Sequence, residues 1–574
     1  MTKKFAKFST AASLLLFLVV PPAQAEISSA DGISLSGSYL AGRSAEVGRD
    51  SATAAEYLSQ ALLEDPDNPV LIEKLFVLEL ASGDLPTAEV LARKVIASNS
   101  QHKMARIVLG LRDFRKSRYT SARKNFVEAA YTPVGELTSA LAIAWTLAAE
   151  GNLKESLAAL DALDSNESFA NFKSYHAALI ADQMKNAIRA EASYRKAYGQ
   201  AASSLRIVQA YGNFLERNNR SAEAIKIYQA FLEAGNDNVL IRSALENAKS
   251  GKIPAQFIAT PSAGLAESLF SLASAMTDEQ SIDIALLYAQ LALSLPGDRP
   301  VYLTLLGDIY VDTRQFENAI SAYDLIPAES PLRMSADTEI AVNLQRLERT
   351  KDAQAKLKDV IARDSSSFEV LVTLGNIHRG NEEYALASEA YTKALDLITN
   401  VEKDHWRVFY YRGITFERQK MWDKAEADFR KALALVPDEP LVLNYLGYSM
   451  IEKKVNLTEA LDMVKKAVEL KPNDGYIVDS LGWAYYQLGD FAEAVVHIER
   501  AVDLNPADPI IGEHLGDVYW RVGRKLEAKF QWQHAKDNGP EPADLKRIED
   551  KLLNGMPPDE VTKPVENKTG NTSG

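Results

Sequence analysis

The chain has 574 residues, 47% of them apolar and a quarter charged, and its 64 Lys and Arg against 78 Asp and Glu leave a formal net charge of −14. Nucleic-acid affinity depends on a basic face that displaces counterions from phosphates, and no Lys/Arg block is present, so no nucleic-acid partner is expected. The absence of cysteine excludes disulfides, thiol catalysis, thiolate metal sites and the lipid-accepting cysteine of a bacterial lipoprotein.

Residues 1–25 read as a cleavable signal peptide. Lys3, Lys4 and Lys7 form a positive start, Ala11 to Val20 an apolar run, and Ala23-Gln24-Ala25 a small-x-small cleavage pattern. The run is too short to span hydrocarbon, and no other stretch reaches the roughly 18 apolar residues a transmembrane helix needs. No transmembrane segment is therefore expected after cleavage. Export without cysteine or lipid points to the periplasm of a Gram-negative cell, with full secretion as the alternative. Residues 26–34 are small and polar, a flexible lead-in.

From Leu35 onward the chain repeats every 34 residues. Numbering each repeat from its first helical residue, Ala41-Gly42 falls at places 7 and 8 of the first repeat. Steps of 34 then reach Leu75, Leu109-Gly110, Ile143-Ala144, Ala177-Ala178 and Tyr211-Gly212. Place 20 holds Ala54, Ala88, Ala122, Ser156, Ala190 and Ala224. Small residues at places 8 and 20 let two helices approach, and larger ones at places 7, 11 and 24 fill the space between them. These six repeats form an N-terminal array over 35–238. Residues 239–265 interrupt the pattern, and SGKIPAQFIATPSAG puts helix breakers where a second helix belongs. This stretch is either a joint between two arrays or a degenerate repeat.

A second array of eight repeats spans 266–542, marked by Leu272-Ala273, Leu306-Gly307, Ile340-Ala341, Leu374-Gly375, Arg412-Gly413, Leu446-Gly447, Leu481-Gly482 and Leu515-Gly516. Residues 543–555 suit a helix that covers the last repeat's open face, and 556–574 a disordered polar tail. The stretch Gly475–Asp508 displays the unit most fully, with Leu481-Gly482, Tyr485, Ala494, Ile498, Ala501 and Pro506 in register. It resembles a tetratricopeptide repeat (TPR), and the resemblance covers roughly residues 35–542. The resemblance implies an all-α, right-handed superhelical TPR solenoid of about fourteen helix–turn–helix repeats in two arrays.

No catalytic, cofactor or metal motif is found. His514 and Asp517 stand three apart on one helix, and two weak ligands hold no metal; they read as a solvated pair. Resemblance to TPR superhelices implies that places 2, 5, 9 and 12 of each first helix line a concave groove. There the last repeats carry Tyr410, Asn444, Tyr448, Tyr476, Asp479, Trp483, Tyr486, Glu513, Asp517 and Trp520. Rings interleaved with amides and carboxylates can anchor apolar side chains and fix a peptide backbone. Packing beneath the terminal helix is the competing reading, above all for Trp520. The N-terminal array offers Tyr39, Phe114, Trp145, Phe172 and Tyr175, which self-association would use as readily. The carboxylate clamp of chaperone-binding TPRs is missing, because Gln209 and Val372 precede Asn213 and Asn376 where a lysine belongs.

The chain also resembles exported TPR proteins of Gram-negative bacteria. That implies a non-enzymatic periplasmic scaffold that supports envelope integrity by holding other envelope proteins or extended peptide segments. The alternative is a component of a polysaccharide or peptidoglycan synthesis or export machine, contacting glycan directly.

Overall fold

The computed structural model describes residues 34–557, and the expected signal peptide, nearly all of the lead-in and most of the tail lie outside them. Among the described residues there are thirty α-helices, α1 to α30, and no strand. Fourteen antiparallel pairs account for twenty-eight of them, with α13 (Val239–Lys249) and α30 (Pro542–Asn554) unpaired. None is long and apolar enough to cross a membrane.

The 34-residue spacing is explained by the contact between paired helices. The place-20 alanines Ala54, Ala88, Ala122, Ala190, Ala224, Ala353, Ala425 and Ala494 have no solvent exposure. Opposite them, place 8 is glycine in most repeats where place 24 is large, Ala178 opposite Tyr194 being an exception. A Cβ on Gly516 would stand 2.4 Å from the ring of Trp532, and one on Gly212 2.2 Å from the hydroxyl of Tyr228. Helix starts follow the local sequence. Asn68, Asp474 and Asp508 accept bonds from the first free N–H groups of their helices, and Pro69 and Pro509 occupy first-turn positions that need no donor.

The chain forms two compact units, one ending at Leu332 and the other beginning at Arg333. Residues 239–265, the expected joint or degenerate repeat, therefore lie inside the first unit. Helix α13 stacks on α12 (Ser221–Glu233), after which 252–260 run without helix. The next pair, α14 (Pro261–Ser274) and α15 (Ile282–Leu293), does not extend the stack. Instead α14 packs on α7 (Pro133–Ala149) and α9 (Ala170–Gln183), and α15 on α3 (Pro69–Ser82), all first helices of earlier repeats. In the second unit, pairs from α18 (Arg333–Arg346) onward stack in order and end on α30, which packs against α29 (Lys525–Asp537) as the expected terminal helix.

Candidate functional site

In the first unit the face lined by first helices is covered at α3, α7, α9 and α11 (Leu205–Arg217) by later parts of the chain. The run after α13 crosses α11, where Asn213, at place 9, donates to Ala255 O at 2.8 Å and accepts from Phe257 N at 3.2 Å. One amide thus reads both polar groups of an extended backbone. Gln256 Nε2 donates to Asp182 O at 3.0 Å, and the Arg206 guanidinium lies 4.5 Å from the Phe257 ring centre.

Glu267 on α14 then enters a fully enclosed site. It accepts from Arg206 Nε and Nη2 at 2.9 and 2.6 Å, from the Tyr175 hydroxyl at 2.8 Å and from the Tyr302 hydroxyl at 3.1 Å. Burial alone would raise its carboxyl; the Arg206 charge and the hydrogen bonds from Arg206 and Tyr175 together outweigh burial and hold it below the ordinary value. Gly264 meets Trp145 so closely that a Cβ would fall 2.2 Å from the indole. Trp145 and Tyr175, groove candidates by their places in the sequence, are consequently buried; Phe114, also a candidate, is buried against Tyr119 of its own repeat. His176 beside them has no exposure; its Nδ1 accepts from Trp145 Nε1 at 3.2 Å, and burial lowers its pKa to about 4.

The second unit places the ten sequence candidates in three settings. Glu513, Asp517 and Trp520, on α28 (Pro509–Arg521), are taken up by α30. Arg547 and Lys551 each bond Glu513 at 2.6 Å, and Lys551 reaches Asp517 at 2.6 Å. Asp517 also accepts from the buried Trp532 Nε1 at 2.9 Å. Burial would raise Glu513, but Arg547 and Lys551 bring it below its ordinary value, whereas burial prevails at Asp517 and raises it. Trp520 packs 5.3 Å from Trp532, and Gly555 sits against its ring. These three residues serve the terminal helix.

A second group forms one stack. On α26 (Gly475–Gln487), Trp483 lies parallel to Tyr486 at 4.5 Å and to His514 at 4.0 Å, while its Nε1 donates to Glu452 at 2.6 Å. Asp479 binds His514 Nδ1 at 2.9 Å. His514 and Asp517 are both buried, so the solvated i, i+3 pair expected from the sequence is corrected: His514 finds its carboxylate one repeat earlier. Burial acts against the imidazolium, Asp479 favours it, and the net result is a raised pKa.

The third group remains open. Tyr410 on α22 (Trp406–Arg418), with Asn444 and Tyr448 on α24 (Pro440–Glu452), is half-buried on successive first helices. Burial raises both tyrosines. Asn444 Oδ1 is shielded from solvent and has no hydrogen-bond partner, an arrangement folded chains rarely leave unfilled. Tyr476 stands at the rim, 60% exposed. Asn376 on α20 (Phe368–Gly380) occupies the same place 9 as Asn213. In the sequence both asparagines bear only on the missing chaperone clamp; their shared place was the available signal.

A family described as "Tetratricopeptide repeat" matches residues 366–438, and one described as "TPR repeat" matches 482–523. A TPR repeat-containing protein of Pseudomonas aeruginosa is 34% identical over 87 residues, 15% of each chain. A human protein O-mannosyl-transferase, TMTC1, is 26% identical over 180 residues, 31% of this chain and 20% of that one. The chain thus spans a fifth or less of these curated relatives. Among solved structures, a TPR protein of Parabacteroides merdae superposes with a TM-score of 0.38 at 16% identity, over 45% of this chain and 99% of that one. The APC/C hetero-tetramer Cut9–Hcn1 gives 0.38 at 14%, over 90% and 96%. The chain carries tetratricopeptide repeats at 366–438 and 482–523, and helix pairs of closely similar spacing run through the described residues.

Proposed function

We infer that the second unit is the working surface of a non-enzymatic scaffold whose open groove holds an extended segment of another protein. TPR repeats are protein–protein interaction modules, and in the first unit Asn213 holds a segment of the same chain by its backbone. The observation that carries the reading is the bidentate grip of Asn213 on the backbone of 255–257. Among the described residues no such segment meets its counterpart Asn376, whose Oδ1 accepts from the Tyr391 hydroxyl at 2.8 Å, or the unpartnered Asn444 in the second unit.

The proposed location is the periplasm, on the strength of the basic start, apolar run and Ala23-Gln24-Ala25 at the N-terminus. Envelope proteins are the proposed clients, and support of envelope integrity the proposed role.

The test is a photoreactive side chain at Tyr448 in living cells, with mass spectrometry of the adducts and osmotic-shock fractionation. Tyr448 is preferable to Trp483, whose ring is fixed between Tyr486 and His514. Adducts to one or a few other exported proteins are expected. Adducts only within the chain, from a protein shown to be folded, would refute the groove; retention in the cytoplasm would refute the location.

A further inference from the structure

Charge in the open groove is distributed unevenly. From α22 to α28 its carboxylates are occupied. Glu417 faces Lys453 at 3.6 Å, Glu452 takes the Trp483 N–H, Asp479 holds His514, and Glu513 and Asp517 hold Arg547 and Lys551. Three arginines on α20 and α22 are not matched in this way. The Arg379 guanidinium lies 4.5 Å from the Tyr411 ring centre, and its Nε donates to the Tyr391 hydroxyl at 3.3 Å. Arg407 is exposed beside the Trp406 ring, and Arg418 approaches the Tyr445 hydroxyl. Among the described residues none of the three has a carboxylate partner. In a chain of net charge −14 this is a local cationic strip.

The first unit shows what such a strip takes. Its internal occupant sets extended backbone on Asn213 and then, ten residues past Phe257, delivers the carboxylate of Glu267 to Arg206. Asn213 and Arg206 stand at places 9 and 2; Asn376 and Arg407 hold those places in the second unit, on consecutive first helices. We propose that the groove over α20, α22 and α24 binds an extended acidic peptide segment of a partner protein, its backbone on Asn376 and Asn444 and its carboxylates on Arg379, Arg407 and Arg418. Arginine presents paired donors that match a carboxylate, and a ring beneath the guanidinium holds the fork in place. This rests on the groove reading above and adds the partner's chemistry.

The test uses the full chain on an array of immobilised 12-residue peptides containing no, two, four or six glutamates, with glutamine in the remaining variable positions. Retention should rise at least tenfold from none to six glutamates and weaken with added salt. In the triple variant R379Q/R407Q/R418Q, folded by circular dichroism, that dependence should disappear. N444A should weaken retention of all peptides by a similar factor. Equal retention at every glutamate count, with N444A still weakening it, would overturn the acidic preference and leave the groove intact. No retention of any peptide, or retention unaffected by N444A and the triple variant, would overturn both. Arginine-dependent binding of polygalacturonate without binding of acidic peptides would assign the strip to an acidic glycan and overturn the peptide proposal.

Discussion

Replacing Glu267 by Gln should release the α14–α15 hairpin from the first unit. Glu267 has no solvent exposure and accepts four hydrogen bonds, two of them from a guanidinium that is itself 8% exposed. Glutamine keeps the shape, loses the charge and turns an N–H2 toward a donor. Arg206 would retain Asp298, at 2.9 Å, as its one carboxylate, and that side chain is 37% exposed. Breaking a buried pair by removing one partner costs about 3–5 kcal/mol, and the surviving Asp298 contact favours the lower figure, about 3 kcal/mol. Because repeat arrays do not unfold all-or-none, residue-resolved hydrogen exchange is a better assay than a single melt. Amides of α14 and α15 should exchange about a hundredfold faster, while those of the second unit should not change. The paired replacement Glu267→Met with Arg206→Met should recover most of the protection, since an apolar pair of similar volume is often neutral in such a site. Unchanged hairpin exchange in Glu267→Gln would refute the view that this ion pair holds the groove closed.

His176 should make the first unit acid-sensitive. Its folded pKa of about 4 lies below the unfolded value of about 6.5, so the unfolded chain takes the proton first as pH falls. Stability from this group is complete above about 6.5 and declines toward 4 by about 3 kcal/mol; exchange at pH 7.5 and 4.5 should show this, and His176→Gln should reduce the difference. His514 has the opposite sign: its raised pKa stabilises the second unit below about 6.5, and the contribution is lost as pH rises through the folded value. His514→Gln should flatten that alkaline decline. Gly516→Ala should cost about 1–3 kcal/mol and redden Trp532 fluorescence, because the fully buried ring cannot move from the added carbon. Gly199→Ala, a helical position with nothing within 4 Å, should instead stabilise by about 0.5–1 kcal/mol in thermal unfolding.

The helix pairs were legible because their code is local. A place-20 alanine and a place-8 glycine meet within one repeat, so Ala494 and Gly482 register whatever surrounds the pair. The same locality concealed the fold-back. Leu272-Ala273 and Ala285 keep α14 and α15 together equally well in a stack or across a groove, and the breakers in 250–265 signal an interruption without giving its destination. At the candidate site, place numbers reported which way a side chain points but not who reaches it first. Glu513 is met by Arg547, and Asp517 by Lys551, each 34 residues later, and His514 meets Asp479 35 residues earlier. Each pairing is about one repeat in length, so scanning for opposite charges at that distance would have assigned them to structure rather than to a ligand.

The two grooves differ in availability more than in chemistry. In the first unit the occupant is covalently attached: Phe257 follows the end of α13 at Lys249 by eight residues. A tether of that length gives an effective concentration on the order of millimolar, and α14 adds the burial of Gly264 against Trp145 and of Glu267 against Arg206. A free peptide offering only the backbone grip of Asn213 has no means of outcompeting it. The second unit has the asparagines and arginines of the same design without the tethered strand. There the unpartnered Asn444 Oδ1 represents a desolvation cost already incurred in the fold, which on the proposed reading an incoming segment recovers. On the proposed reading, partner capture falls to the second unit, and the first serves as the internal template from which the occupant's chemistry can be read.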